Sequence, residues 1–318
     1  MIRSIISGCG SYLPERAVSN EELIATHKLE SSDEWISRRT GIKQRHIVKE
    51  GEKTSDMATA AGRNALASAG ITADELDMII LATTTPDHQL PACAAKVQSN
   101  LGAIKAFAFD IQAVCSGFVF ALATANNFIK SGQVKNALII GADTLSSIMD
   151  WTDRTTCVLF GDGAGAVVLS ASEGKGDNSD RGILSTHLHS DGRQYELLQT
   201  DENDLVRMDG QEVFRHAVTN LSSVVDEALA ATGIKPEEID WLVPHQANQR
   251  IIEGTGKKLG LPPERVVTTV AHHANTSAAS IPLALDHSVK QGMIKQGQIV
   301  MLDAMGGGFT WGAAMVRW

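Results

Sequence analysis

The sequence predicts an α/β protein made of two related halves. Short apolar runs alternate with longer amphipathic stretches along the chain, a segment at 65–81 has a close echo at 228–244, and a second segment at 115–143 has an echo at 275–303. Repeated strand–helix units of this kind pack as helices against sheets covered on both faces.

Phe107–Ile111 is strand-like, and the apolar runs Met78–Ala82, Ala137–Gly141, Gly165–Leu169, Trp241–Val243 and Ile299–Leu302 read as strands. Each is too short for a helix and too continuously apolar for a strand with one wet face. Helices are expected at 56–69, 115–131, 212–232, 246–259 and 276–291. In the first echo, Gly70 falls on Gly233, 163 residues later. Both copies read as helix, glycine stop, isoleucine, acidic turn and apolar strand. In the second, Cys115–Asp143 falls on Asn275–Asp303 at a spacing of 160, which sets Lys130, Gly132, Lys135 and Ile139 on Lys290, Gly292, Lys295 and Ile299. A boundary is expected in the polar, glycine-rich stretch at 171–184, giving halves 1–171 and 172–318.

The 318 residues are 43% hydrophobic, which suffices for a large core. A net charge of −9 argues against nucleic-acid binding. The cysteines Cys9, Cys93, Cys115 and Cys157 form no CxxC pair, so neither a zinc site nor a disulfide framework is expected. The first residues lack a signal-peptide pattern, and no apolar run reaches membrane-spanning length. The expectation is a soluble cytoplasmic protein without membrane insertion.

Three segments carry the chemistry: Ala-Val-Cys-Ser-Gly at 113–117, Pro-His-Gln-Ala-Asn at 244–248 and Ala-Asn-Thr-Ser-Ala-Ala-Ser at 274–280. Cys115, His245 and Asn275 offer a thiol, an imidazole and a carboxamide, each at a strand end or helix start. Alone, Cys115 reads as a small buried hydrophobe, His245 as a packing residue and Asn275 as a helix cap. In matching places of two halves packed about a pseudo-dyad, Cys115 and Asn275 would converge, with His245 beside them. A helix N-terminus and a nearby imidazole would both favour the thiolate. His272 and His273 precede the turn and are less well placed. The glycines at 306–308 let backbone N–H groups approach a substrate, and one from Gly307 with that of Cys115 could form an oxyanion hole. Phe160–Ala166 has glycines like a dinucleotide loop but precedes a strand, so close sheet packing is expected instead.

Together with Ser32–Ile36, Arg39–Ile42, Thr84–Asp87 and Gly306–Trp311, these segments resemble the beta-ketoacyl-acyl-carrier-protein synthase III family of the thiolase-like superfamily, over nearly the whole chain. The resemblance implies a five-layer αβαβα fold, usually a homodimer, and no cofactor. It implies that Cys115 takes an acyl group from acyl-CoA, typically acetyl-CoA. Malonyl-acyl-carrier-protein then loses carbon dioxide and condenses with the acyl group, while His245 and Asn275 stabilise the enolate. Trp35 and Arg154 would sandwich the CoA adenine, with Arg39 near its phosphates. Asn248, Gly210 and Phe214 would border the pantetheine tunnel, with Phe160 nearby. Arg215, Arg250, Lys257 and Lys258 would meet the carrier protein. The chain departs from the pattern at Ala274, Met305, Leu90 and Thr155, where Gly, Phe, Phe and Gly are frequent; Met305 and Leu90 leave the primer length open. A condensing enzyme of secondary metabolism, a Cys/His/Asn acyl hydrolase and a silent binding module are the alternatives.

Overall fold

Two sheets organise the chain in the computed structural model, which describes residues 1–318. The first part runs β1 (Ile2–Tyr12), β2 (Arg16–Ser19), α1 (Asn20–His27), α2 (Asp33–Thr40), β3 (Gln44–Ile47), α3 (Thr54–Ala69), β4 (Met78–Ala82), α4 (Cys93–Leu101), β5 (Phe107–Ile111), α5 (Gly117–Lys130), β6 (Asn136–Asp143) and β7 (Gly163–Glu173). Five of its strands form a sheet in the order β1-β7-β6-β4-β5, and β2 pairs with β3. The second part runs β8 (Gly182–Ser190), β9 (Leu198–Thr200), β10 (Val206–Met208), α6 (Gly210–Thr232), β11 (Trp241–Pro244), α7 (Gln249–Lys258), α8 (Val270–His273), α9 (Ser280–Lys290), β12 (Ile299–Gly306) and β13 (Thr310–Arg317). Its main sheet has the order β11-β12-β13-β8, and β9 pairs with β10. Strand β7 continues to Glu173, so the polar link between the sheets is the shorter stretch 174–181.

The central strands of both sheets are buried on both faces, as their apolar runs predict, whereas the edge strands β5 and β8 are only partly covered. Helices α3 and α4 cover the outer face of the first sheet, where Met57, Leu66 and Val97 meet Leu138 and Ile140. Helices α5 and α9 lie between the sheets; Phe118, Leu122, Ile281 and Leu285 join Ile80, Ile139, Val300 and Leu302. Helices α6 and α7 cover the second sheet, where Val224, Val225 and Leu259 meet Met301 and Met315. These are the five layers implied by the resemblance. Gly70 and Gly233 end α3 and α6 in the left-handed conformation, with φ of 70° and 66°.

The duplication is real in backbone but slips against the sequence match. Met78 pairs with Ala137 in one half and Trp241 with Val300 in the other, so both strand pairs advance by 163 residues. The 3₁₀ turns Val114–Ser116 and Ser277–Ala279 keep that spacing, and α5 and α9 follow directly. Only the helix ends obey the 160 spacing, because α9 has 11 residues and α5 has 14. A longer loop before β12 restores the register. The counterpart of Cys115 is therefore Ala278, not Asn275. The Lys–Gly identities at the helix ends drew the match across a three-residue deletion. A slip of three in a strand also exchanges its faces: Ile139 packs in the central layer, whereas Ile299 packs in the outer one.

Candidate active site

The two 3₁₀ turns meet at the pseudo-dyad, and each crosses a strand that has no side chain in the way. A Cβ on Gly306 would stand 2.6 Å from the Cys115 nitrogen, and one on Gly141 would stand 2.1 Å from the Ala278 carbonyl oxygen. This close approach sets Cys115 at the floor of the site, 6% exposed. Val114 before it has φ 49°. Burial, above all, and the Asp143 carboxylate push the thiol up to about 12, while the neighbouring Ser277 hydroxyl acts the other way. The direction set by burial is opposite to the one expected of a helix start.

His245 follows β11, its backbone N–H donating to the Asp303 carbonyl at 2.8 Å. Its Nδ1 lies 2.6 Å from Ser280 Oγ. Burial lowers its pKa to about 4, so the imidazole is neutral at pH 7. The rate of any step that needs the neutral ring should accordingly show no inflection near pH 6.5. A pH–rate profile of the half-reactions checks this, and a limb at that pH would contradict it.

Asn275 is held from both sides. Its N–H donates to the Leu159 carbonyl and its C=O accepts from the Gly161 N–H, both at 3.0 Å. Its side-chain Oδ1 accepts from the Ser277 N–H at 2.9 Å, which leaves the NH₂ free to donate. The helix does not begin at Asn275, as a simple cap would have it, but five residues later. The glycines of β7 do pack tightly, Gly165 lying against Pro282 and Leu283. The segment 159–161 has the further task of strapping Asn275, which its composition did not reveal.

Gln246, a residue sequence reasoning passed over, ties the His245 and Asn275 loops together. Its amide donates to Pro244 and Val267 carbonyls and accepts from the N–H groups of Thr269 and Val270. Ser280 was hidden in a run of small polar residues that read only as a helix start. Ala274 has φ 59° and ψ −161°, a conformation that strains any residue with a Cβ. Ala274→Gly should raise stability by about 1 kcal/mol through release of that strain, measured by denaturant unfolding; a lower midpoint would refute it.

Cys115, His245 and Asn275 line one cavity of about 740 Å³, together with Phe160, Gly210, Phe214, Asn248 and Met305. The helix expected from 246 begins at Gln249, and Asn248 caps it, its side chain accepting from the Ile251 N–H. A second cavity of about 1090 Å³ also reaches Cys115 and Phe160 and is lined by Gly307, Leu145 and Tyr195. Leu90, 81% exposed, lines neither.

Trp35, Arg39 and Arg250 line a separate polar depression with Arg38. The guanidinium carbons of Arg39 and Arg154 lie 5.2 and 5.4 Å from the Trp35 ring centre, and that of Arg250 lies 4.9 Å from the Phe214 ring. Lys257 lines another groove. Lys258 pairs with Asp226 at 2.9 Å and Arg215 with Glu212 at 2.7 Å, so these two are partly neutralised. No cluster of three or more histidine, cysteine or acidic side chains is arranged to hold a metal ion, and no helix is long and apolar enough to cross a membrane.

A thiol, a neutral imidazole and a carboxamide with its NH₂ free suit acyl transfer followed by a step that builds charge on oxygen. Family models described as 3-oxoacyl-[acyl-carrier-protein] synthase III and its C-terminal part match residues 109–192 and 229–318. The chain is 64% identical to the beta-ketoacyl-[acyl-carrier-protein] synthase III of Rhodospirillum centenum, over all of this chain and 99% of that one. It is also 64% identical to the protein of the same name from Paramagnetospirillum magneticum, with the same coverage. The crystal structure of 3-oxoacyl-[acyl-carrier-protein] synthase III from Aquifex aeolicus superposes with a TM-score of 0.95 at 48% identity, covering 99% of this chain and 100% of that one. With these likenesses added to the five-layer fold, the chain belongs to the beta-ketoacyl-acyl-carrier-protein synthase III family, with the thiolase-like architecture.

Proposed function

We propose that this enzyme condenses an acyl-CoA primer, acetyl-CoA first among them, with malonyl-acyl-carrier-protein to give a 3-oxoacyl-carrier-protein, the initiating step of fatty-acid synthesis. The observation that carries this reading is the convergence of Cys115, His245 and Asn275 on one largely apolar cavity. Cys115 sulfur attacks the acyl-CoA carbonyl and CoA leaves as the thiol. Backbone N–H groups of Cys115 and Gly307 are assigned to the oxyanion of that step. The malonyl carboxylate then departs as carbon dioxide, and its electron pair moves onto the thioester oxygen as an enolate. His245 and Asn275 donate to that oxygen without bringing a charge of their own. The enolate carbon attacks the Cys115 thioester, and the Cys115 sulfur leaves.

The apolar walls favour condensation over hydrolysis, since water excluded from the cavity spares the acyl-enzyme. Trp35, Arg39 and Arg154 are assigned to the CoA nucleotide, the planar ring and guanidinium groups being suited to adenine and phosphate. Phe160, Gly210, Phe214, Asn248 and Met305 are assigned to the pantetheine and acyl path. Arg250 with Lys257, and to a lesser degree the paired Arg215 and Lys258, are assigned to the acidic carrier protein. The edge strand β5, with Phe107 half exposed, and the exposed Leu90 support a homodimer. The two halves of the chain are taken to divide within the link 174–181, since a boundary at 171/172 would cut β7. The reaction as written needs no metal or cofactor, and four free cysteines fit a reducing cytoplasm.

The deciding experiment supplies acetyl-, butyryl- and longer acyl-CoA with malonyl-acyl-carrier-protein and follows carbon dioxide and 3-oxoacyl product. Stoichiometric release of carbon dioxide with product is expected. Release of free acid instead would indicate a hydrolase. The softer side chain of Met305 predicts that butyryl-CoA is accepted alongside acetyl-CoA; strict acetyl use would remove that part.

A further inference from the structure

Ser280 begins α9 fully inside the protein, 2% exposed, with its hydroxyl against the His245 ring. Its Oγ stands 2.6 Å from Nδ1 and 3.3 Å from the backbone nitrogen of Gln246. A backbone N–H can only donate, so Gln246 occupies a lone pair of Oγ. No other partner of this hydroxyl exists, and its single proton therefore has one acceptor, Nδ1. Were Nδ1 protonated, two N–H groups would point at one oxygen and a buried O–H would be left without an acceptor. Leaving such a group unpaired in the interior forfeits its hydration with no hydrogen bond in return.

We infer that Ser280 is a positioning residue for His245: its hydroxyl donates to Nδ1 and holds the imidazole as the Nε2–H tautomer. The role given to that tautomer rests on the condensation proposed above, but the tautomer itself does not. His245 then faces the cavity as a hydrogen-bond donor and has no lone pair there with which to take a proton. In the acylation half-reaction the Cys115 S–H proton therefore ends on the departing CoA sulfur. A sulfur–carbon bond forms at Cys115, the carbon–sulfur bond to CoA breaks, and no base retains the proton. In the condensation half-reaction the same Nε2–H meets the enolate oxygen. A wrong tautomer would present a lone pair to that anion, so Ser280 governs the second half-reaction much more than the first.

The test labels the full-length protein with ¹⁵N-histidine and reads the two ring nitrogens of His245 at pH 7, assigned by their absence in His245→Ala. The wild type should show an unprotonated Nδ1 and a protonated Nε2; the reverse pattern overturns the inference without any Ser280 variant. Ser280→Ala should lose the single tautomer and slow malonyl decarboxylation about tenfold or more. Single-turnover acetylation of Cys115, followed by mass spectrometry, should stay within about threefold. Ser280→Thr, which keeps the hydroxyl, should recover most of the loss. An unchanged tautomer and rate in Ser280→Ala, or a parallel fall of both half-reactions with the melting temperature, would make Ser280 merely structural and defeat the inference. If the wild type released no carbon dioxide from malonyl-acyl-carrier-protein, the condensing function would fail while the nitrogen spectra still decided the tautomer.

Discussion

Cys115→Ala will take up no acetyl group from acetyl-CoA, and condensation will fall by about 10³-fold or more. The thiol is the only nucleophile on the floor of the cavity shared with His245 and Asn275, and no other cysteine lines it. Removing one sulfur from a buried site leaves a small void, so the fold should lose no more than about 1–2 kcal/mol. The loss of activity would then be chemical and not structural. Decarboxylation of malonyl-acyl-carrier-protein should survive in part, because its electrons move onto an oxygen held by His245 and Asn275, neither of which is altered. Intact-mass measurement after acetyl-CoA reads the first outcome, and trapped carbon dioxide reads the second. An acetyl group found on Cys115→Ala protein would mean that another residue is the nucleophile.

Asn275→Asp should be the next most damaging change, with decarboxylation reduced about 10²–10³-fold at neutral pH. The substitution is nearly isosteric, and one carboxylate oxygen can still accept from the Ser277 N–H as Asn275 Oδ1 does at 2.9 Å. The other oxygen replaces a free NH₂ donor with an acceptor carrying negative charge, next to the oxygen on which the enolate charge develops. The site is 6% exposed, so little water screens that repulsion. Burial raises the pKa of a carboxyl, and its protonated form can donate again. The variant should therefore gain activity as pH falls through that raised pKa, whereas the wild type, with His245 neutral down to about 4, should not. A variant whose rate matches the wild type at pH 7 would remove Asn275 from the donor pair.

The strands and helix stops were legible because they follow from composition within a few residues. Met78–Ala82 is a run of apolar side chains buried on both faces, and it was read to the residue. Gly70 and Gly233 were legible as helix ends, since left-handed caps favour residues without a Cβ. The pairing of halves was legible only in part. Identities at Lys130/Lys290 and Gly132/Gly292 set the second match, but the deletion lies inside α9, where no residue type marks it. Cys115, His245 and Asn275 are legible by their chemical types and by resemblance, but the sequence match that pairs Cys115 with Asn275 is out by three residues, the backbone counterpart of Cys115 being Ala278. Gln246 and Ser280 stayed hidden because a glutamine or serine in a loop announces nothing until its partner, 21 or 35 residues away, is folded against it.

By itself the sequence determined an α/β chain with two repeated units, apolar strands, glycine-ended helices and a thiol, an imidazole and a carboxamide at element ends. These are local properties, set by side-chain volume, polarity and backbone freedom. The tertiary structure alone decided which of these ends meet, that Cys115 lies opposite Ala278 across the pseudo-dyad, and that burial raises the pKa of the thiol and keeps the imidazole neutral. Those outcomes depend on desolvation and on hydrogen bonds between segments distant in the chain, and both come into being only when the two sheets close over the central helices.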